Sequence, residues 1–221
     1  MKVLVIAAHM DDEVLGMGGT IARHVKGGDQ VAVCVVTQRA YGHRYTESDV
    51  RVEKNSARTA AKILGYRRLT FWDLPDERLD EKILSVIIPL DKEIQEFRPE
   101  VVYTTHRGDN NQDHRAVFHA TMIACRSIAR RPVRRLLCYE VPSSTEQAPP
   151  FPEYAFQPNF YVNITQTLPK KLRAMRAYRR ELRPFPHPRS LQGLRALAQK
   201  RGVEIGFQAA EGFILVRDQW R

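Results

Sequence analysis

Five short runs of aliphatic and β-branched residues, the first four each followed by a segment with helical spacing, constrain this chain more than any other feature. Val3–Ala8 (VLVIAA) is continuously apolar, as a parallel strand is when helices cover both faces of its sheet. Val31–Thr37 (VAVCVVT), Leu69–Asp73, Val101–Thr105 (VVYTT) and Leu136–Val141 have the same texture. Between them, residues 13–26 read as a helix stopped by Gly27-Gly28, and Val50–Leu64 as a helix ended by Gly65. Asp80–Phe97 reads as a helix that Pro89 should kink or split, and Arg115–Ile128 as a fourth helix. This alternation predicts an α/β architecture with a doubly wound, mostly parallel sheet and helices on both faces.

The remainder differs. Residues 142–158 contain five prolines and read as a long surface loop. Phe160–Ile164 is expected as a strand, Thr165–Arg180 and Ser190–Lys200 as helices, and Gly212–Arg217 as a last strand. Neither an internal repeat nor a linker divides the chain, so 1–221 is expected as a single domain, with 1–141 as the core and 142–221 as a C-terminal part. Its 43% hydrophobic content supports a substantial core. No apolar run approaches the ~20 residues that cross a bilayer. The N-terminal apolar run ends in His and acids instead of a cleavage site, so a cytoplasmic protein is expected. Cys34, Cys125 and Cys138 lack paired metal-type spacing and read as buried free thiols. The formal charge of +10 is concentrated in Arg126–Arg135 and Lys170–Arg183. Solvated helix faces are the favoured reading of these clusters; the alternative is a surface for an anionic partner.

Ligands of open parallel sheets bind beyond the carboxyl ends of the strands. Two motifs fall there: His9-Met10-Asp11-Asp12-Glu13 after the first strand, and Asp109-Asn110-Asn111-Gln112-Asp113-His114 after the fourth. The usual strand order makes these neighbours. A dinucleotide cradle is excluded, because three acids stand where bare backbone amides would meet a pyrophosphate, and Gly16, Gly18 and Gly19 come a turn too late. Adjacent carboxylates attract a cation. His9 and Asp12, one helical turn apart, and His114 from the second loop make a two-His, one-carboxylate set with positions left open for water and substrate. Asp11 is placed to act as general base, and Asp113 to orient a histidine. Taken singly, each has a structural alternative: His9 as a strand-end residue, the acids as helix N-terminal charges, Asp113 as a helix cap. The joint pattern favours the site.

The text Ala8-His9-Met10-Asp11-Asp12-Glu13, with Asn111-Gln112-Asp113-His114 and Gly16-Met17-Gly18-Gly19, resembles the LmbE-like or PIG-L N-acetylglucosaminyl deacetylases. The resemblance implies a Rossmann-like fold, one bound zinc ion held by His9, Asp12 and His114, Asp11 as base, and removal of an acetyl group from an amino sugar or its conjugate. It also implies that the C-terminal part covers the pocket. Two positions depart from the family pattern. Met10 stands where proline is usual, and Asn111 where several members carry a histidine that stabilises the oxyanion or protonates the amine. Asn111 can donate a hydrogen bond but delivers no proton, so the candidates for that task are Asp11 after protonation or another histidine, His106 or His187. Arg51 is expected to hold sugar hydroxyls or a phosphate, and Glu140, at the end of the fifth strand, faces the ligand side by position.

Two other classes compete. The same donor set serves non-haem iron oxygenases, although those space the first pair as H-x-D on a β-barrel. A non-catalytic polyanion-binding module would use the basic clusters, but no aromatic-interleaved basic stripe accompanies them, so a nucleic-acid partner is not favoured. The substrate is expected to be a small amino-sugar compound, with an anionic one and a homo-oligomeric state left open.

Overall fold

A computed structural model describes residues 1–39, 45–126 and 133–220. The five anticipated strands are β1 (Lys2–Ala7), β2 (Gln30–Gln38), β3 (Arg68–Pro75), β4 (Val101–Thr105) and β5 (Arg135–Tyr139). They alternate with α1 (Asp12–Lys26), α2 (Glu47–Leu64), α3 (Ile83–Phe97) and α4 (Gln112–Ala124). The C-terminal part adds β6 (Phe160–Asn163), α5 (Leu168–Met175), α6 (Leu191–Val203) and β7 (Ala210–Asp218). The strand order is β3-β2-β1-β4-β5-β7-β6. β1 pairs in parallel with both β2 and β4, and the antiparallel β7 joins β5 to β6. The chain winds outward in both directions from β1 and β4, so their carboxyl ends form the switch point where a crevice opens.

The continuous apolar run of β1 has its expected cause. Val3, Val5 and Ala7 point into the core on one face of the sheet, and Leu4, Ile6 and Ala8 into the core on the other. α1, α2 and α5 cover the first face, and α3 and α4 the second.

Helix starts differ from expectation where side-chain caps decide them. α2 begins at Glu47 because Thr46 and Asp49 form a reciprocal capping box. α4 begins at Gln112 because the Asn111 side chain accepts the Asp113 N–H at 2.8 Å. Asp113 and His114 therefore lie in the first turn of a helix, not in a loop. Residues 127–128, expected at the end of this helix, lie outside the described residues. α3 is not split at Pro89: it runs from Ile83 to Phe97 as one helix. The lost backbone bond is offset by the buried stripe of Val86, Leu90, Ile94 and Phe97. α5 stops at Met175, short of the Arg180 expected.

One device of α1 has no local sequence signal. The helix breaks at Met17, whose φ and ψ are −145° and 23°. The carboxylate of Glu211, on β7, accepts the N–H groups of Gly19 and Thr20 at 3.0 and 2.7 Å and the Lys171 ammonium at 2.6 Å. A strand residue thus caps the second half of α1, leaving its first turn to carry the acids. A side chain at Gly16 would overlap the Tyr139 ring and the Glu140 backbone, so glycine lets α1 close on the end of β5.

In the second basic cluster, Arg173, Arg176 and Arg179 are exposed while Lys171 is buried against Glu211. Most of the first cluster lies outside the described residues. The three cysteines are buried and free. Among the described residues, no helix is long and apolar enough to cross a membrane.

Candidate metal and catalytic centre

β1 delivers His9 at its carboxyl end, and α1 begins three residues later at Asp12. β4, hydrogen-bonded to β1, delivers the segment that leads into α4 and His114. The two connections therefore converge. His9 Nδ1 lies 3.1 Å from His114 Nε2. Asp12 Oδ2 lies 3.5 Å from His9 Nδ1 and 3.3 Å from His114 Nε2. One donor atom from each of the three side chains falls within 4.8 Å of the others, a group that could hold a metal ion. The His9 backbone N–H donates to Asp12 Oδ2 at 2.7 Å, fixing that carboxylate across the turn.

The outer ring nitrogens reveal which lone pairs face inward. His9 Nε2 lies 3.1 Å from Asp113 Oδ2. His114 Nδ1 lies 3.1 Å from Asp109 Oδ1, as a close ion pair and not an aligned hydrogen bond. A carboxylate beside each outer nitrogen keeps the ring proton there. The inner nitrogens then turn lone pairs toward each other and toward Asp12. Three electron pairs that close repel unless a cation sits among them, so the donor set fits a divalent metal ion.

The surrounding carboxylates favour positive charge in this pocket. Burial by itself would lower the pKa of His9, but Asp113 and Asp12 push it up to about 9. Burial likewise opposes charge on His114, which Asp12 and Asp109 push up to about 10. Burial would raise Asp12, yet His114 and His9 hold it well below the usual carboxylate range. The pocket holds excess negative charge that positive charge relieves. Two imidazolium rings facing each other at this distance would repel; neutral rings around a metal ion would not.

Asp11 is set apart from this cluster. Its φ of 114° is in the left-handed region, which strains a residue with a side chain. Glu13 holds the conformation: its Oε2 accepts the Asp11 N–H at 3.3 Å and its Oε1 accepts the Tyr178 hydroxyl at 2.7 Å. Glu13 is fully buried, and burial pushes its pKa up to about 7 against the lowering effect of Tyr178. The Asp11 carboxyl is also buried. Burial raises its pKa well above the usual range, Asp12, Glu181 and Glu13 add to that, and Arg189 opposes it. Arg189 Nη1 lies 3.4 Å from Asp11 Oδ2.

These groups border a cleft of about 240 Å³ whose walls include Arg39, Asp76, Glu77, Asn111, Ser143 and Arg189. The residues singled out in the sequence separate here. His9, Asp11, Asp12 and His114 come together. Asp113 stands behind His9, not His114, and also accepts the backbone N–H groups of Glu77 and Leu79. Asn111 lines the cleft, but its Oδ1 is occupied as the helix cap.

Four other residues singled out in the sequence are not brought to the lining of this cleft. Arg51 is exposed on α2 and is not among the residues lining the cleft; that wall carries Arg39, from the end of β2. His187 is exposed, its Nδ1 accepting the Arg189 N–H at 3.1 Å, and it is Arg189 that reaches the cleft. Glu140 binds Arg201 through both carboxylate oxygens, at 2.7 and 2.8 Å, beside a different cleft. His106 is buried with Nε2 3.1 Å from the Tyr154 carbonyl, away from the cleft.

Sequence reasoning missed Asp109, Glu181, Arg39 and Arg189. Asp109 is held by the hydroxyls of Ser144 and Thr145. Glu181 joins Arg39 and Arg189 at 3.3 and 2.5 Å. Asp109 had a sequence signal, since it opens the second motif. The other three had none.

Comparison with known proteins agrees with this geometry. Residues 4–125 match the family model described as PIG-L, GlcNAc-PI de-N-acetylase. An uncharacterised deacetylase of Escherichia coli, YaiS, is 36% identical over 152 residues, covering 64% of this chain and 75% of the relative. Diacetylchitobiose deacetylase of Thermococcus kodakarensis is 26% identical over 232 residues, covering 97% and 83% respectively. Among solved structures, the 4-carboxy-2-hydroxymuconate hydratase GalB of Pseudomonas putida KT2440 superposes with a TM-score of 0.79 at 22% identity, covering 100% of this chain and 98% of that one. The last likeness concerns the fold alone. With the family model spanning more than half of the sequence and both of its motifs converging in one cleft, the chain belongs to the PIG-L family of de-N-acetylases.

Proposed function

We propose that this protein is a zinc-dependent hydrolase that removes the N-acetyl group from an amino sugar or an amino-sugar conjugate. The observation that carries the reading is the convergence of His9 Nδ1, His114 Nε2 and Asp12 Oδ2 beside a separate buried carboxyl, Asp11. His9, Asp12 and His114 would hold the ion. Zinc bound there would polarise the amide carbonyl and lower the pKa of water toward ~7.

The chain's own residues supply the rest. Asp113 and Asp109 keep the two imidazoles in the ligand tautomer. Glu13 fixes the strained backbone that presents Asp11. Asp11 accepts a proton as the water oxygen adds to the carbonyl carbon, and the carbonyl π electrons move onto oxygen. The carbon–nitrogen bond then breaks with its electron pair on nitrogen. Nitrogen takes the proton back from Asp11 while the oxygen electron pair re-forms the carbonyl; acetic acid and a free amine leave, and the acid's proton passes to the amine in water to give acetate and an ammonium.

The cleft volume of about 240 Å³ is below the ~300–1,000 Å³ of sites for drug-sized ligands, which suits one sugar unit carrying its acetamido group. Its walls are almost wholly polar, as hydroxyl-rich ligands require. With a divalent ion in place, Arg39 and Arg189 balance Asp11, Asp12, Asp76 and Glu77 there, which favours a neutral substrate over a strongly charged one. In this reading 1–221 works as one unit, with the 142–221 part supplying Ser143, Ser144, Glu181 and Arg189 to the site. The free buried thiols fit a reducing compartment such as the cytoplasm.

The test is an acetate-release screen across N-acetylglucosamine, its β-linked disaccharide and phosphorylated conjugates, with and without a chelator. Chelator-sensitive release with zinc-restored turnover is the expected result. Release from none of these by zinc-loaded protein overturns the reading.

A further inference from the structure

We propose that Arg189 binds the scissile carbonyl oxygen and carries its negative charge as the tetrahedral centre forms, an inference that rests on the deacetylase reading above. Asn111 is neutral and its carbonyl end caps α4. His106 is turned to the Tyr154 carbonyl and His187 is exposed outside the cleft. Two cationic side chains remain on the walls, and they differ in what they have left to offer. Arg39 faces Glu53, Glu181 and Asp76 through Nε, Nη2 and Nη1, at 3.4, 3.3 and 3.7 Å. All its nitrogens have an acid partner.

Arg189 is held through two of its three guanidinium nitrogens. Nε donates to Ser143 Oγ at 2.6 Å, and Nη1 reaches Glu181 Oε2 at 2.5 Å and Asp11 Oδ2 at 3.4 Å. Nη2 makes no hydrogen bond to a described residue. Its backbone is anchored on both sides: the Arg189 N–H bonds His187 Nδ1, and Ser190 caps α6 by accepting the Gly193 N–H at 2.9 Å. The result is a fixed guanidinium with a free donor, one side chain away from the group of His9, Asp12 and His114.

The charge accounting suits the reaction. Before the step the negative charge is on Asp11. As Asp11 takes the proton of the adding water, the carbonyl π pair moves onto oxygen, and the charge moves with it. Arg189 keeps Glu181 as a partner throughout and neighbours Asp11 before the step; the oxyanion assigned to Nη2 takes over the charge that Asp11 gives up. A preorganised donor of this kind costs no reorganisation during the reaction.

The experiment compares zinc-loaded wild type, Arg189→Met and Arg189→Lys on the acetylated amino sugar that wild type cleaves best. Zinc content and melting temperature are measured for each. Affinity for a methylphosphonamide analogue of the acetamido group is measured by calorimetry. Arg189→Met is expected to keep its zinc and its fold, to lose about 10²–10³ in kcat with KM little changed, and to lose analogue affinity by a similar factor. Added guanidinium ion should restore part of the kcat of Arg189→Met, and Arg189→Lys should fall between it and wild type. If kcat of Arg189→Met stays near wild type, or falls while analogue affinity is unchanged, Arg189 is not the oxyanion partner and the proposal is overturned alone. If wild type itself releases no acetate, the deacetylase reading falls and takes this one with it.

Discussion

The two ends of α1 border clefts of very different size. At its first turn the small cleft encloses about 240 Å³; around its last turn lie two larger clefts of about 720 and 480 Å³, both lined by Arg23 and Gly27. Volume alone would favour the larger pair. Their charges, however, are settled locally. The Met1 ammonium and His24 Nδ1 both bind Asp29, at 2.6 and 2.7 Å. Arg23 donates to the Asn163 carbonyl at 2.6 Å and Lys26 to Gln166 at 2.8 Å. At the opposite end, three lone pairs converge, a strained Asp11 stands beside them, and two arginines close the wall. The helix itself points the same way, with acids in its first turn and Arg23, His24 and Lys26 in its last. A site is distinguished by polar groups that need a partner from outside, not by the space around them.

Substitutions at the two ends can break this contrast. The largest effect is expected for His114→Ala, which should lose bound zinc and detectable turnover together, as read by metal content and acetate release. Next is Asp11→Asn, which should keep its zinc while kcat falls by about 10²–10⁴, the usual contribution of a general base. Full turnover by that variant would show that the base is another group. Asp113→Asn removes the carboxylate behind His9; zinc affinity, measured by competition with a chelator, should weaken about 10–100-fold. At the far end, Arg23→Ala should leave kcat and KM at wild-type values and cost no more than about 1 kcal/mol in denaturant unfolding. A large loss of turnover in that variant would mean that the larger clefts take part in the chemistry.

Much of this was legible in the chain. β1 announced itself as a strand buried on both faces, and the neighbouring position of β4 followed from the common winding of such sheets. The pairing of His9 with Asp12 followed from one turn of helix. Local chemistry misled in detail where a cap moved an element boundary: Asn111 turned out to start α4, which put Asp113 on a helix and behind the other histidine. The resemblance implies a substrate-binding arginine in the region of Arg51, but Arg51 is exposed on α2, where each step along the helix turns the side chain by about 100°. Glu140 lies just past a strand that leads to the site, but Arg201 claims its carboxylate.

By itself the sequence determined the α/β class, the adjacency of β1 and β4 and the three side chains that could hold a metal ion, because these follow from periodicity, from one turn of helix and from the common winding of parallel sheets. The tertiary structure alone decided what surrounds that group. Arg189 meets Asp11 across 178 positions of sequence, and Arg39 meets Glu181 across 142. No local spacing encodes such contacts. They exist because β7 and β6 extend the same sheet and the segment between them folds back over the carboxyl ends of β1 and β4, so the groups that complete the cleft come from the part of the chain whose sequence said least about function.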